Sequence, residues 1–139
     1  MKNVLKIAVV AVTVPTITLV AATAAFAQMT LPEACKTETS ASTMQMPGGD
    51  TGQMAEHQRA MMEGMRETEP AMMQGIMAKD PDVAFVCGMI AHHTAAINMS
   101  EVELKYGDDQ QAKSMAEKII DAQKKEIEEM TTWVTEHAK

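Results

Sequence analysis

Two adjacent histidines, His92 and His93, are flanked by Met89 and Met99. Thioether sulfur is a soft donor and imidazole a borderline one, so a mixed set of this kind selects Cu(I), with Ag(I) as its chemical mimic, over Mg, Ca or Mn. Zinc is the weaker candidate, because its sites use thiolate, imidazole and carboxylate rather than thioether. If the segment is helical, Met89 and His93 are neighbours at i and i+4, while His92 and Met99 share a strip at i and i+7. A second set is Met54, His57, Met61 and Met65, at spacings of 3, 4 and 4. It reads either as another metal site or as a plain amphipathic face. Methionine is also an ordinary core filler. Yet the chain holds 15 methionines, and after residue 27 its only leucines are Leu31 and Leu104. A core alone is better specified by Leu and Ile, whose rotamers are better defined, so something besides packing favours sulfur.

These side chains need helices to carry them. The pattern predicts an all-α fold with four helices. The first spans about 53–67, and a short second one spans about 70–79, with Thr68 as cap and Pro70 in its first turn. Asp80-Pro81 repeats the start signal for a third, running to about residue 105 with an apolar stripe of Val83, Val86, Ile90, Ile97 and Leu104. Tyr106-Gly107-Asp108 ends it, with glycine expected to supply backbone freedom. The fourth, about 109–137, alternates Ala116, Ile120, Gln123, Ile127, Met130, Val134 and His137 in steps of four and three, a seam that requires a partner. The two long helices should form an antiparallel hairpin. An inward Glu126 needs a partner, and a ring N–H of His92 or His93 is the natural one, which would orient that ring for a metal; Gln123 lies on the same side. His137 suits a favourable charge at a helix terminus and is not read as a ligand.

Ahead of the helices, residues 28–52 are rich in Thr, Ser, Pro and Gly and read as an irregular arm, leaving 53–139 as the helical metal-binding domain. Residues 1–27 carry Lys2 and Lys6, an apolar stretch, and the small-residue ending Ala25-Phe26-Ala27. That is the pattern of a cleaved signal peptide, so a periplasmic or secreted location is expected, with no membrane anchor after cleavage. The 139 residues bear a formal charge of −7, and removal of the two leader lysines makes the remainder more acidic. This balance argues against nucleic acid and anionic lipid as partners. Aromatic residues, at 3 %, are too few for stacking platforms. Cys35 and Cys87 are the two cysteines; export favours a bridge, which would stabilise the fold by about 4 kcal/mol, while the alternative makes Cys87 a thiolate ligand.

From Asp82 to Trp133 the chain resembles the domain-of-unknown-function 305 family, secreted helical bundles of ferritin-like fold, several of which bind copper in the periplasm. The resemblance rests on Met89-Ile90-Ala91-His92-His93 with Ala96, Ile97 and Met99, then Tyr106-Gly107, then Gln123, Glu126-Ile127, Met130 and Trp133. It implies a four-helix ferritin-like bundle and copper held by Met89, His92, His93, Met99 and, from the opposite helix, Met130, with Gln123 and Glu126 nearby. A di-iron carboxylate site, the other ferritin-like possibility, needs Glu-x-x-His on facing helices, and no histidine here has Glu three residues before it.

The function expected on these grounds is buffering, sequestration or carriage of Cu(I), within copper resistance and without a catalytic cycle, in exchange with another copper-handling protein. A homodimer around shared ions is compatible with the sulfur-rich faces. The competing readings are a methionine-rich interaction module that binds a protein without metal, and a copper-dependent redox enzyme. The enzyme reading lacks any Gly-x-Ser-x-Gly or His-Glu-x-x-His motif. All ligands are expected to converge on a single pocket between the two longest helices.

Overall fold

A computed structural model of the chain describes residues 30–36 and 54–138. The proposed signal peptide and most of the arm lie outside the described residues. Within them the fold is all-α: one 3-10 turn at Glu33–Cys35, then α1 (Glu56–Ile76), α2 (Pro81–Tyr106) and α3 (Gln110–His137). The two short helices expected at 53–67 and 70–79 are therefore one helix. Pro70 lies inside it and not at a second start. Thr68 caps nothing; it is buried, and its hydroxyl donates to the carbonyls of Gly64 and Met65 one turn back. A proline interrupts a helix by removing one hydrogen bond and crowding the preceding turn. Here packing along the whole length of α1 offsets that cost.

The Asp80-Pro81 start signal works as the sequence suggests, and the structure adds side-chain caps at the other two helices. Oδ1 of Asp80 accepts from the backbone N–H groups of Asp82 and Val83, with Pro81 in the first turn. Oδ1 of Asp109 accepts from Ala112 at the head of α3. At α1, Gln58 Oε1 accepts from the Ala55 N–H. The end of α2 differs from expectation. Gly107 is extended, at φ −68° and ψ 156°, so left-handed freedom is not what ends the helix. A Cβ there would come 2.7 Å from the Glu103 carbonyl oxygen, so its reason is steric.

The three helices run antiparallel in sequence, and α2 is the central one. It packs along α1 on one side and α3 on the other, while α1 and α3 barely meet. Toward α3, α2 turns its Val83, Val86, Ile90, Ile97 and Leu104 stripe, answered by Ala116, Ile120, Ile127 and Val134. Toward α1 the seam is made of small residues. Gly64, Thr68, Ala71 and Gly75 follow at helical spacing, and Gly75 lies so close that a Cβ on it would be 2.7 Å from the Cys87 carbonyl carbon and 2.8 Å from the Gly88 nitrogen. Asn98, also buried, donates to the Gly64 carbonyl at 3.4 Å.

Cys35 and Cys87 form a disulfide, which leaves no thiol at Cys87 to serve as a ligand. The bridge seats part of the arm in the core. Leu31 and Cys35 join Val83, Cys87, Ile90 and Val134 in one buried cluster, with Ala71, Ile127, Met130 and Trp133 packed around it. By length and hydropathy α2 could cross a membrane, but half of that apolar window is buried inside the protein.

The close seam makes a prediction. Gly75→Ala improves helix propensity by about 1 kcal/mol but must push two backbones apart, so a net loss of about 1–2 kcal/mol is expected in urea unfolding. Gly64→Ala, whose Cβ would meet only the Asn98 side chain at 3.0 Å, should cost less. Stabilisation by Gly75→Ala would show that α1 does not lie against Cys87.

Candidate metal centre

The expected ligands differ in burial and in the side of α2 they occupy. His93 is buried, at 8 % exposure, and points to α3, where Nε2 lies 2.6 Å from Oε2 of Glu126. Glu126 also accepts from Gln123 Nε2 at 3.4 Å. An ionised carboxylate only accepts, so Nε2 carries the hydrogen, and in the neutral ring Nδ1 then holds the lone pair. That Nδ1 is buried and has no hydrogen-bond partner among the described residues. The expected pairing of Glu126 with one of the two histidines is thus present, and it selects His93.

The same contact sets the register of the hairpin. Met89 is one turn before His93 on α2, and Met130 is one turn after Glu126 on α3, so in an antiparallel pair the two methionines stand at one level. Both are half-buried, and Met130 packs beside Ile127 and Trp133 at the edge of the core. His93, Met89 and Met130 therefore belong to the α2–α3 seam. This grouping could offer one imidazole nitrogen and two thioethers, with Glu126 and Gln123 holding the ring from behind.

His92 and Met99 lie elsewhere. Both are exposed, Met99 at 45 %. The rings of His92 and His93 approach edge to face, 5.9 Å between centroids, but they open to different sides of α2. The reason is rotational: adjacent residues on a helix diverge by about 100 degrees, so one histidine of a pair on α2 faces α3 while the other cannot. His93 is thus enclosed against α3, while His92 and Met99 are open to solvent.

The second expected set is also redistributed. His57 is exposed, and Met54 and Met61 are half-buried. Met65 instead lines a cavity of about 190 Å³ with Met62, Met72, Glu69 and Ala95 among its neighbours. Met62 and Met72 were not part of that set; treating Pro70 as a break concealed that 62, 65, 69 and 72 fall along one stripe of a continuous helix. His137 Nδ1 lies 2.7 Å from the Trp133 carbonyl in the last turn of α3, and its ring stacks on the Trp133 indole at 4.4 Å. Among the described residues, no three His, Cys, Asp or Glu side chains gather as a metal site.

Comparison with known families then bears on identity. The family model described as "Domain of unknown function (DUF305)" matches residues 20–134. The chain belongs to that family. No curated protein matches it. The family match spans both groupings, including the His92-His93 pair and the Gln123-x-x-Glu126 run.

The His93 contact is open to direct test. Long-range ¹H–¹⁵N spectra of the ring at neutral pH should show hydrogen on Nε2 and a bare Nδ1, retained in Glu126→Gln, whose amide oxygen still accepts. Glu126→Ala should lose that preference and about 1 kcal/mol of stability, little because the half-exposed site admits water. An Nδ1–H tautomer in the native protein would contradict the arrangement.

Proposed function

We propose that this is an exported copper-binding protein that buffers, sequesters or carries Cu(I) as part of copper resistance, without a catalytic cycle. The observation that carries the reading is His93: one ring nitrogen is fixed by Glu126 while the other is buried without a partner among the described residues. A buried polar atom left unpaired costs free energy, and metal-binding histidines characteristically donate their second N–H to a carboxylate. The residues fit a soft ion: Nδ1 of His93 with the thioethers of Met89 and Met130 would hold it, with His92 and Met99 as further donors on the adjoining face. Bound there, copper would be stored in its reduced state by neutral donors. Glu126 and Gln123 keep the imidazole in the tautomer that leaves Nδ1 free. The disulfide is compatible with an oxidising compartment, which supports a periplasmic or secreted location.

We read the three helices as a ferritin-like four-helix arrangement whose first two helices have merged into α1, and a homodimer sharing ions as its natural assembly. A copper-handling protein would be the donor or acceptor. The alternative, a methionine-rich interaction module, draws support from Phe85 at 66 % exposure and from the exposed Met73, Ile76 and Met77.

Titration of the protein lacking residues 1–27 with Cu(I) against a competing chelator should show tight binding, weakened about 10–100-fold in Glu126→Ala. Inability to compete at micromolar free copper would end the reading. Protons compete for imidazole nitrogen but not for thioether sulfur, so affinity should fall yet persist near pH 5; complete loss there would mean that the methionines contribute little. Replacing His92 and His93 together should abolish tight binding, whereas a metal-free interaction module would keep its partner.

A further inference from the structure

The outer side of the α1–α2 pair carries apolar surface that no other described element covers. Met65, Met73 and Ile76 of α1, with Phe85 and Met99 of α2, stand between 38 % and 66 % exposed. Phe85, His92 and Met99 are seven residues apart and so share one strip of α2. On α1, Met65, Met72 and Ile76 follow at steps of seven and four, and Met65 and Met72 border a cavity of about 190 Å³ whose wall on α2 is Ala95. Single apolar residues on a surface need no explanation, whereas a set shared by two neighbouring helices marks an interaction face. Its exposed apolar area, on the order of 500 Å², approaches the about 800 Å² that each partner buries in a standard interface.

The charges at the centre of this face indicate what covers it. Arg66 and Glu69 both line the cavity, one turn apart on α1. Arg66 reaches Glu63 only at 4.0 Å, and the half-buried Glu69 has no ion pair among the described residues. A carboxylate in that position calls for a cation. A face built for a strongly acidic or basic partner would present charge of one sign. Here one of each stands three residues apart, and that pattern complements itself. Two α1 helices laid antiparallel, related by a two-fold axis between the faces at the level of residues 67 and 68, set each Arg66 against Glu69 of the other copy. The same operation brings Met65 of each copy within a turn of Met72 of the other, where flexible thioethers can repack into the cavities.

We propose that the outer α1–α2 face is the contact between two copies of this chain, paired antiparallel, with reciprocal Arg66–Glu69 ion pairs around a methionine-lined centre. This names the surface of the homodimer proposed above and rests on that dimer, but not on copper: the contact needs no metal, and it uses neither His93 nor Glu126.

The test is sedimentation and native mass spectrometry of the protein lacking residues 1–27, held metal-free by a chelator. The native protein should dimerise with a dissociation constant on the order of 10 µM. Arg66→Glu and Glu69→Arg each set like charges together twice over, and each should raise that constant at least about tenfold with circular dichroism unchanged. An equimolar mixture of the two variants should form a one-to-one heterodimer, because each supplies the charge the other lacks. Both substitutions in one chain should restore the homodimer. A native protein that stays monomeric would overturn the proposal and leave the face to a different protein. Dimers indifferent to both charge reversals would put the contact elsewhere and overturn it as well. Dimers formed only with Cu(I) would mean that ions hold the copies together, which sinks this contact and leaves the copper reading intact. A metal-free, charge-sensitive dimer of a protein unable to compete for Cu(I) would do the reverse.

Discussion

Almost everything in this fold depends on α2 having to satisfy two neighbours that scarcely touch each other. A helix packed on one side needs one apolar stripe; α2 needs two of different character. Toward α3 it presents branched and aliphatic bulk, whose burial removes apolar area from water. Toward α1 it presents Cys87, Gly88, Ala91 and Asn98, which meet a seam of glycine, threonine and alanine where backbones lie within van der Waals contact. The gain on that side comes from close approach and dispersion rather than from large side chains. What remains of the α2 circumference is open to solvent, and it carries Phe85, His92 and Met99.

The disulfide is joined to the same constraint. Cys87 sits where α2 meets Gly75 of α1, close to Val134 of α3, and Cys35 brings Leu31 and the 3-10 turn over that end. A small helical protein with so little leucine has limited apolar area to bury, and a covalent link that shortens the unfolded ensemble supplements it. The firm end of the molecule lies here. The candidate centre at His93 lies next to it, one to two turns along α2, where neighbouring packing holds Met130 and Glu126 on a fixed helix.

The contrast between His92 and His93 shows how position decides chemistry for identical side chains. His93 is enclosed and fixed by a carboxylate, with a nitrogen left unpaired; His92 stands in solvent beside a methionine-lined groove. A centre on the first would be rigid and shielded, and one on the second open and quick to exchange.

Much of this was legible in the chain. The all-α class, the Asp80-Pro81 start, the two long helices and the α3 seam follow from period and capping chemistry, which act within a few residues; the Glu126–His93 contact was also expected, but it is the histidine ring and not the half-exposed carboxylate that is buried. The misreadings have tertiary causes. Pro70 is a local break signal, overridden by packing on both sides of it; Gly107 was assigned conformational freedom, whereas its neighbour Glu103 simply leaves no room for a Cβ. The different burial of His92 and His93 was not legible because helical period states which residues share a face but not which face meets a partner. Composition alone determined that sulfur and imidazole would be the available donors. Which of them face one another was settled by the placement of α2 between α1 and α3, since only the packed helices fix the rotation of each about its own axis.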